Sequence, residues 1–168
     1  INNSISEPFL KEETMRMYAK KFPEGEKQAY KLTEGKATDI FCKMTDPHKG
    51  KFVLVDFWAT TCGPCIYGIK HMQPLRDKYK DSPDLAFVYI TATGGSPEES
   101  YNKFISENDM GDNLFRLPED EYNYLRQLFK FNGIPRYVML DRDGNVVDDN
   151  FPGHNAEYEI QKLFPDKK

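Results

Sequence analysis

The stretch Val55-Asp56-Phe57-Trp58-Ala59-Thr60-Thr61-Cys62-Gly63-Pro64-Cys65 decides how this chain is read. It continues the apolar run Phe52-Val53-Leu54, sets one carboxyl inside that run, and ends in a pair of cysteines three positions apart. The run does not alternate apolar with polar, so Lys51 to Ala59 reads as a central strand buried on both faces. After the pair, Ile69, Met72, Leu75 and Tyr79 recur at helical spacing. The cysteines therefore stand where a buried strand hands over to a helix. Pro74 is expected to kink that helix, because it lacks the backbone donor toward residue 70.

That position gives the two thiols different work. Cys62 falls at the helix N-terminus, where unpaired N–H groups and the helix dipole favour a thiolate. The dipole is worth about 0.3 to 1 kcal/mol, and up to roughly 2 when partly buried. Cys62 is the expected nucleophile. Cys65 lies one turn further in and is the expected resolving thiol, held beside any mixed disulfide that Cys62 forms. Gly63 and Pro64 restrict the turn without adding bulk or charge. Two blander readings compete: an inert structural disulfide, or half of a zinc site completed by ligands such as Cys42, His48 or His71. Asp56 sits six residues before Cys62, where a buried carboxylate is costly unless hydrated or paired. A raised pKa there suits proton transfer to and from Cys65. Its plain alternative is a carboxylate pointing into a crevice or held by a lysine.

Outward from this centre, the pattern predicts an α/β sheet with parallel inner strands and an antiparallel edge. Upstream, Thr38 to Met44 reads as strand, with Cys42 as a buried thiol on it, and Asp46 to Gly50 as a turn. A helix capped by Ser6 and stopped near Pro23 opens the chain, and residues 24–39 read as a polar connector. Downstream, Leu85 to Thr91 is a strand. Ser96, Pro97 and Glu99 form a Ser-x-x-Glu start for a helix carrying Tyr101, Phe104 and Ile105. A short Leu114–Leu117 strand and a helix over roughly Glu119 to Lys130 follow. Tyr137 to Leu140 and Asn145 to Val147 flank Asp141-Arg142-Asp143-Gly144 as a hairpin. A helix from about Asn155 to Phe164 closes the domain. The expected division is an extension or connector over 1–34 and one domain over 35–168.

The 168 residues suit one medium domain. Twenty-three basic side chains face 27 acidic ones, a net charge of −4, and no basic block is interleaved with aromatics. Nucleic acid is not an expected partner. The apolar run before Asp56 is far too short to span a bilayer, so the chain holds no transmembrane segment. Three cysteines, an odd number, do not make a fully paired structural set. The chain opens on Ile1 rather than Met and is read as a trimmed piece, so the lack of a targeting signal carries little weight.

The Val55–Cys65 stretch resembles the active-site signature of the thioredoxin superfamily. Gly133-Ile134-Pro135, followed by Tyr137-Val138-Met139-Leu140-Asp141 and Asp143-Gly144, is similar to that family's second landmark. The resemblance implies a thioredoxin-like fold: a mixed central sheet flanked by helices, with an N-terminal extension and extra helical material before the proline loop. It implies a cis peptide bond at Pro135 facing the cysteines, with Ile134 presenting backbone groups to an extended substrate. Arg136 at the rim is either a partner contact or a solvated arginine. With Trp58, Gly63 and Pro64 these make the expected substrate-binding set.

Chain size, the Glu34-Gly35-Lys36-Ala37 segment and the terminal hairpin resemble TlpA/ResA-like thiol-disulfide oxidoreductases, Bacteroidetes versions in particular. That implies a redox-active Cys62–Cys65 disulfide with no other cofactor. It also implies disulfide-bearing protein substrates, an upstream membrane thiol reductase, a periplasmic or outer-envelope location with the anchor or signal removed, and a monomer or weak dimer. The chain departs from the family where Gly68 and Lys70 stand in place of the usual Glu and Pro. Asp56 is then the remaining proton-transfer group. Two other functions stay open: a thiol-dependent peroxidase, and a binding module that keeps the groove without turnover.

Overall fold

The computed structural model describes residues 28–164. Five strands form one sheet: β1 (Phe52–Phe57), β2 (Leu85–Ala92), β3 (Leu114–Leu117), β4 (Arg136–Leu140) and β5 (Val146–Asp148), in the order β3-β2-β1-β4-β5. β1 and β2 are parallel, as are β2 and β3, while β4 and β5 run antiparallel. The sheet is mixed, with parallel inner strands and an antiparallel edge, as the sequence implies. Five of the six β1 residues are buried, which is why the run shows no alternation.

Helices cover both faces. Val53, Val55 and Phe57 point toward α1 (Lys36–Thr45) and α5 (Glu119–Leu128), where Phe41, Tyr122, Leu125 and Phe129 complete a buried cluster. Leu54 points the other way, into a cluster with Met72, Leu75 and Tyr79 from the segment containing α2 (Gly63–His71) and α3 (Gln73–Tyr79). Ala156 and Ile160 of α6 (Ala156–Leu163) join that cluster. α4 (Glu98–Glu107) supplies Tyr101 and Phe104 beside Trp58.

Three local expectations are corrected. Thr38 to Met44 is not a strand but lies within α1. Ile40, Phe41 and Met44 are all buried, a spacing of one and four that a strand would split between two faces, and Phe41 meets Phe129 edge-on at 4.8 Å. Cys42 accordingly lies on a helix and is half-buried. Ser96 does not cap α4: Pro97 holds that position and no side chain caps the helix. The buried Ser96 hydroxyl instead bonds to Thr91 at 2.7 Å and accepts the Thr60 N–H at 2.9 Å. Finally, Pro74 does not kink one helix; the chain stops at Met72 and restarts, leaving Pro74 in the first turn of α3, where a missing N–H costs little.

The predicted hairpin forms, with Asp141 Oδ1 accepting the Asp143 and Asn145 N–H groups and Gly144 at φ 85°. Beyond it, Tyr30 and Val146 exchange both backbone bonds, at 3.0 and 2.8 Å. The expected Ser6–Pro23 helix lies outside the described residues.

Candidate active site

Cys62 is the residue on which α2 begins. Its extended backbone (φ −100°, ψ 101°) turns its sulfur back over the first turn, and the Cys65 N–H donates to Cys62 Sγ at 3.2 Å. Pro64 stands in that first turn, where its fixed φ suits a helix start. The two sulfurs are bonded as a disulfide, with the Cα atoms 5.2 Å apart. Accessibility separates them: Cys62 is half-buried at the surface, whereas Cys65 is 0% exposed. Only Cys62 is open to an incoming sulfur.

The loop before β4 faces this pair. The Ile134–Pro135 bond is cis, and the Ile134 carbonyl oxygen lies 3.7 Å from Cys62 Sγ. Gly63 and Pro64 are exposed, and Ile134 and Pro135 half-buried, so both walls of the crevice are within reach of a partner chain. Arg136 turns away from the crevice. Its Nε donates to the Asp149 carbonyl at 2.6 Å and its Nη2 to the Phe129 carbonyl at 3.4 Å. Trp58 is 1% exposed, packed between Tyr101 and Phe104 at 6.0 and 5.2 Å, and reaches the crevice through neighbours alone.

The approach to Cys62 is tied down by the loop after β2. Thr61 Oγ1 donates to the Gly95 carbonyl at 2.9 Å, and the Ser96 hydroxyl takes the Thr60 N–H. Arg116 Nε in turn donates to the Ser96 carbonyl at 2.7 Å. These bonds span 20 to 36 residues, so no local pattern announces them.

Asp56 of β1 is 3% exposed, with neither carboxyl oxygen hydrogen-bonded among the described residues. Burial pushes its pKa up to about 8, against a smaller opposing pull from the Arg76 guanidinium. Its register partners are Tyr89 on β2 and Tyr137 on β4, so all three side chains leave the same face of the sheet. Tyr89 belongs to the buried cluster that contains Cys65 and Ile69. Arg76 is itself only 6% exposed. Its guanidinium bonds to the Ile69 carbonyl and the Gln73 side chain and lies 5.9 Å from the Tyr89 ring centre. A buried arginine in α3 was not anticipated; its helical position, one residue after Leu75, faces the core, and that phase was the available signal.

Burial also pushes the Cys42 thiol up, with the Asp46 charge adding to the effect. Cys42 sits on α1, on the opposite side of the sheet from Cys65. Among the described residues no group of three or more His, Cys, Asp or Glu gathers as a metal site.

A strand-to-helix turn carrying an accessible and a buried cysteine, faced by a cis-proline loop, matches a family model described as thioredoxin-like over residues 50–146. The chain belongs to the thioredoxin-like family. Within it, this thioredoxin-like chain is similar to the thiol-disulfide oxidoreductase ResA of Oceanobacillus iheyensis, 30% identical over 100 residues, which cover 60% of the chain and 49% of the relative. It is also similar to the thioredoxin-like protein YneN of Bacillus subtilis, 31% identical over 114 residues, covering 68% and 64%. The chain spans about half the length of the first of these relatives. Among solved structures, the thioredoxin domain of a thiol-disulfide oxidoreductase from Bacteroides vulgatus superposes with a TM-score of 0.58 at 25% identity, covering 70% of this chain and 82% of that one. A thiol:disulfide interchange protein from a Bacteroides species gives 0.59 at 25% identity, covering 73% and 79%.

Proposed function

We propose that this chain is a protein thiol-disulfide oxidoreductase of the TlpA/ResA-like, Bacteroidetes type, reducing disulfides of exported proteins in the cell envelope. The observation that carries the reading is the asymmetry of the pair. Cys62 is half-exposed at the start of α2 and 3.7 Å from the Ile134 carbonyl, while Cys65 is fully buried behind it. Cys62 attacks a substrate disulfide and forms a mixed disulfide. Cys65 then attacks Cys62 Sγ, the Cys62–substrate bond breaks, and the substrate leaves reduced. Asp56 takes the Cys65 proton in this second step, a role its raised pKa suits near neutral pH.

The substrate lies as an extended segment between Gly63-Pro64 and Ile134-Pro135. Trp58 supports the cysteine turn from behind, and Arg136 fixes the proline loop through Asp149 and Phe129. A membrane thiol reductase on the donor side returns the pair to the dithiol. The names of the ResA relative and of the Bacteroides interchange protein support the activity.

Replacing Cys65 by Ser tests the reading. That variant should accumulate mixed disulfides through Cys62, visible by non-reducing mass analysis, and a Cys62→Ser variant should trap nothing. Equal trapping by both would overturn the assignment of roles. Insulin reduction by the native chain is the expected activity. Peroxide consumption without insulin reduction would make it a peroxidase, and neither activity would leave a binding module.

A further inference from the structure

Helix α5 closes on a turn whose backbone suits glycine and holds lysine. The Phe131 N–H donates to the Arg126 carbonyl at 3.1 Å, and the Lys130 N–H to the Gln127 carbonyl at 3.3 Å. These are the paired bonds that end a helix when the next residue is left-handed. That residue is Lys130, at φ 51°, and every other described residue with a positive φ is a glycine. A Cβ is crowded there, so the lysine is kept at a cost that glycine would not carry. Its side chain is exposed, and no carboxylate pairs with it among the described residues.

Lys130 borders an open hollow of about 540 Å³, with Asn123, Arg126, Gln127, Phe131 and Asn132 as its other walls. The lining holds two cations and three amides and no carboxylate. Arg126 Nη2 donates to Asn132 Oδ1 at 3.3 Å, which ties helix and loop together across the hollow. The acids of α5, Glu119, Asp120 and Glu121, lie in its first turn, at the other end of the helix. The hollow opens at the cysteine end of the sheet. Phe131 packs at 4.9 Å on Phe57, the last residue of β1, and Asn132 leads directly into Gly133-Ile134-Pro135. The Ile134 carbonyl is the one that stands 3.7 Å from Cys62 Sγ. An extended segment with its cysteine at Cys62 reaches the hollow within about five residues.

From this we infer that the Lys130–Arg126 hollow docks acidic side chains of the protein substrate, on the segment flanking the disulfide that Cys62 attacks. The docking presupposes the Cys62 exchange proposed above and adds the charge of the substrate to it. Lys130 and Arg126 meet the carboxylates, and the amides of Asn123, Gln127 and Asn132 can donate to them. On a chain of net charge −4, this hollow is where an acidic segment is received rather than repelled. A plainer task for a cation here is to offset the negative end of the α5 dipole. Arg126, in the last turn of α5, already serves that end without a left-handed backbone. The dipole task also gives no discrimination between substrates.

The experiment uses two synthetic peptides, each with one disulfide to a small thiol. One carries Asp and Glu on both flanks of its cysteine, and the other carries Asn and Gln at the same positions. The reduced native chain should cleave the acidic peptide about three- to tenfold faster at low ionic strength, as expected of two exposed charge pairs. That advantage should shrink as salt is raised to about 0.5 M. Lys130→Gly should cut the ratio of the two rates by about threefold and yet raise the melting temperature by about 2–4 °C, because the backbone strain goes with the side chain. Lys130→Arg should keep the ratio, and Lys130→Gly with Arg126→Gln should bring it near one. Equal rates for the two peptides with the native chain would overturn the inference, as would a ratio that neither charge removal changes. A lower melting temperature in Lys130→Gly would also overturn it, because the lysine would then serve the fold. Cleavage of neither peptide would instead overturn the underlying reading of Cys62 exchange.

Discussion

The Ser96 hydroxyl accepts the backbone N–H of Thr60 at 2.9 Å and sits 2.7 Å from the Thr91 hydroxyl, so one buried serine joins β2 to the segment that delivers Cys62. Two partners depend on it. Ser96→Ala leaves the Thr60 N–H and the Thr91 hydroxyl without that partner, and should cost about 1–3 kcal/mol of stability. Urea unfolding of the oxidised protein measures the loss. Faster amide hydrogen exchange at Thr60 and Thr61 than in the native chain is the accompanying local sign.

Asp56 makes stability fall as pH rises. Its folded pKa, about 8, lies above the ordinary carboxyl value of 3.8, so the folded chain binds more protons than the unfolded one between those values. Stability from this group is complete below about pH 4 and is lost as pH climbs through about 8, at up to about 1.4 kcal/mol per pH unit. Asp56→Asn removes that slope. Unfolding midpoints at about pH 5 and about pH 9 should diverge for the native protein far more than for the variant; parallel behaviour would refute the burial argument.

Arg76 bears on the same carboxyl from α3 and lowers its pKa. Replacing it by Met keeps much of the stem and removes the charge. The Asp56 titration should then move further up, and stability should drop by about 1–3 kcal/mol as the Ile69 carbonyl and the Gln73 side chain lose their donor. Carbon-13 titration and thermal unfolding report the two effects separately.

Gly153→Ala is expected to destabilise the protein, because the new methyl overlaps the Tyr137 ring. Overpacking of this kind costs about 1–3 kcal/mol. Combined with Tyr137→Ala it should cost less than the sum of the two single changes. Strict additivity in thermal unfolding would show that the two positions are not coupled.

The redox potential should lie nearer to thioredoxin's, about −270 mV, than to DsbA's, about −120 mV. No histidine stands between Cys62 and Cys65 to stabilise the thiolate. Equilibration with graded glutathione or dithiothreitol couples gives the value. A potential above about −180 mV would point to an oxidase or isomerase instead.

The central features of the site were legible in sequence because they are local. The Val55–Cys65 stretch carries strand, turn and helix start within eleven residues, and Gly133-Ile134-Pro135 marks the facing loop. The misreadings have physical causes. Thr38–Met44 contains β-branched and sulfur-bearing residues at alternate positions, and only the burial of Phe41 together with Ile40 and Met44 reveals the helical phase. Ser96 has the sequence of a cap, yet tertiary partners 5 and 36 residues away claim its hydroxyl. In sequence, Tyr137 is marked only as the first residue of a hairpin strand. Its place beside Gly68 and Gly153 depends on how α2 and the loop before α6 meet over β4, which no window of sequence displays.

The backbone exchange between Tyr30 and Val146 bears on how this protein meets copies of itself. An unpaired β5 would offer donors and acceptors to the strand of another molecule, the usual route to edge-to-edge aggregation. Tyr30 occupies both of Val146's positions, and its hydroxyl donates to Asp149 at 2.9 Å, pinning the cover in place. The opposite edge, β3, is four residues long and carries Arg116, whose side chain is committed to the Ser96 carbonyl. A chain cut between Tyr30 and α1 would keep every residue of the cysteine site and yet uncover that edge, so its first failing should be loss of solubility rather than loss of exchange chemistry.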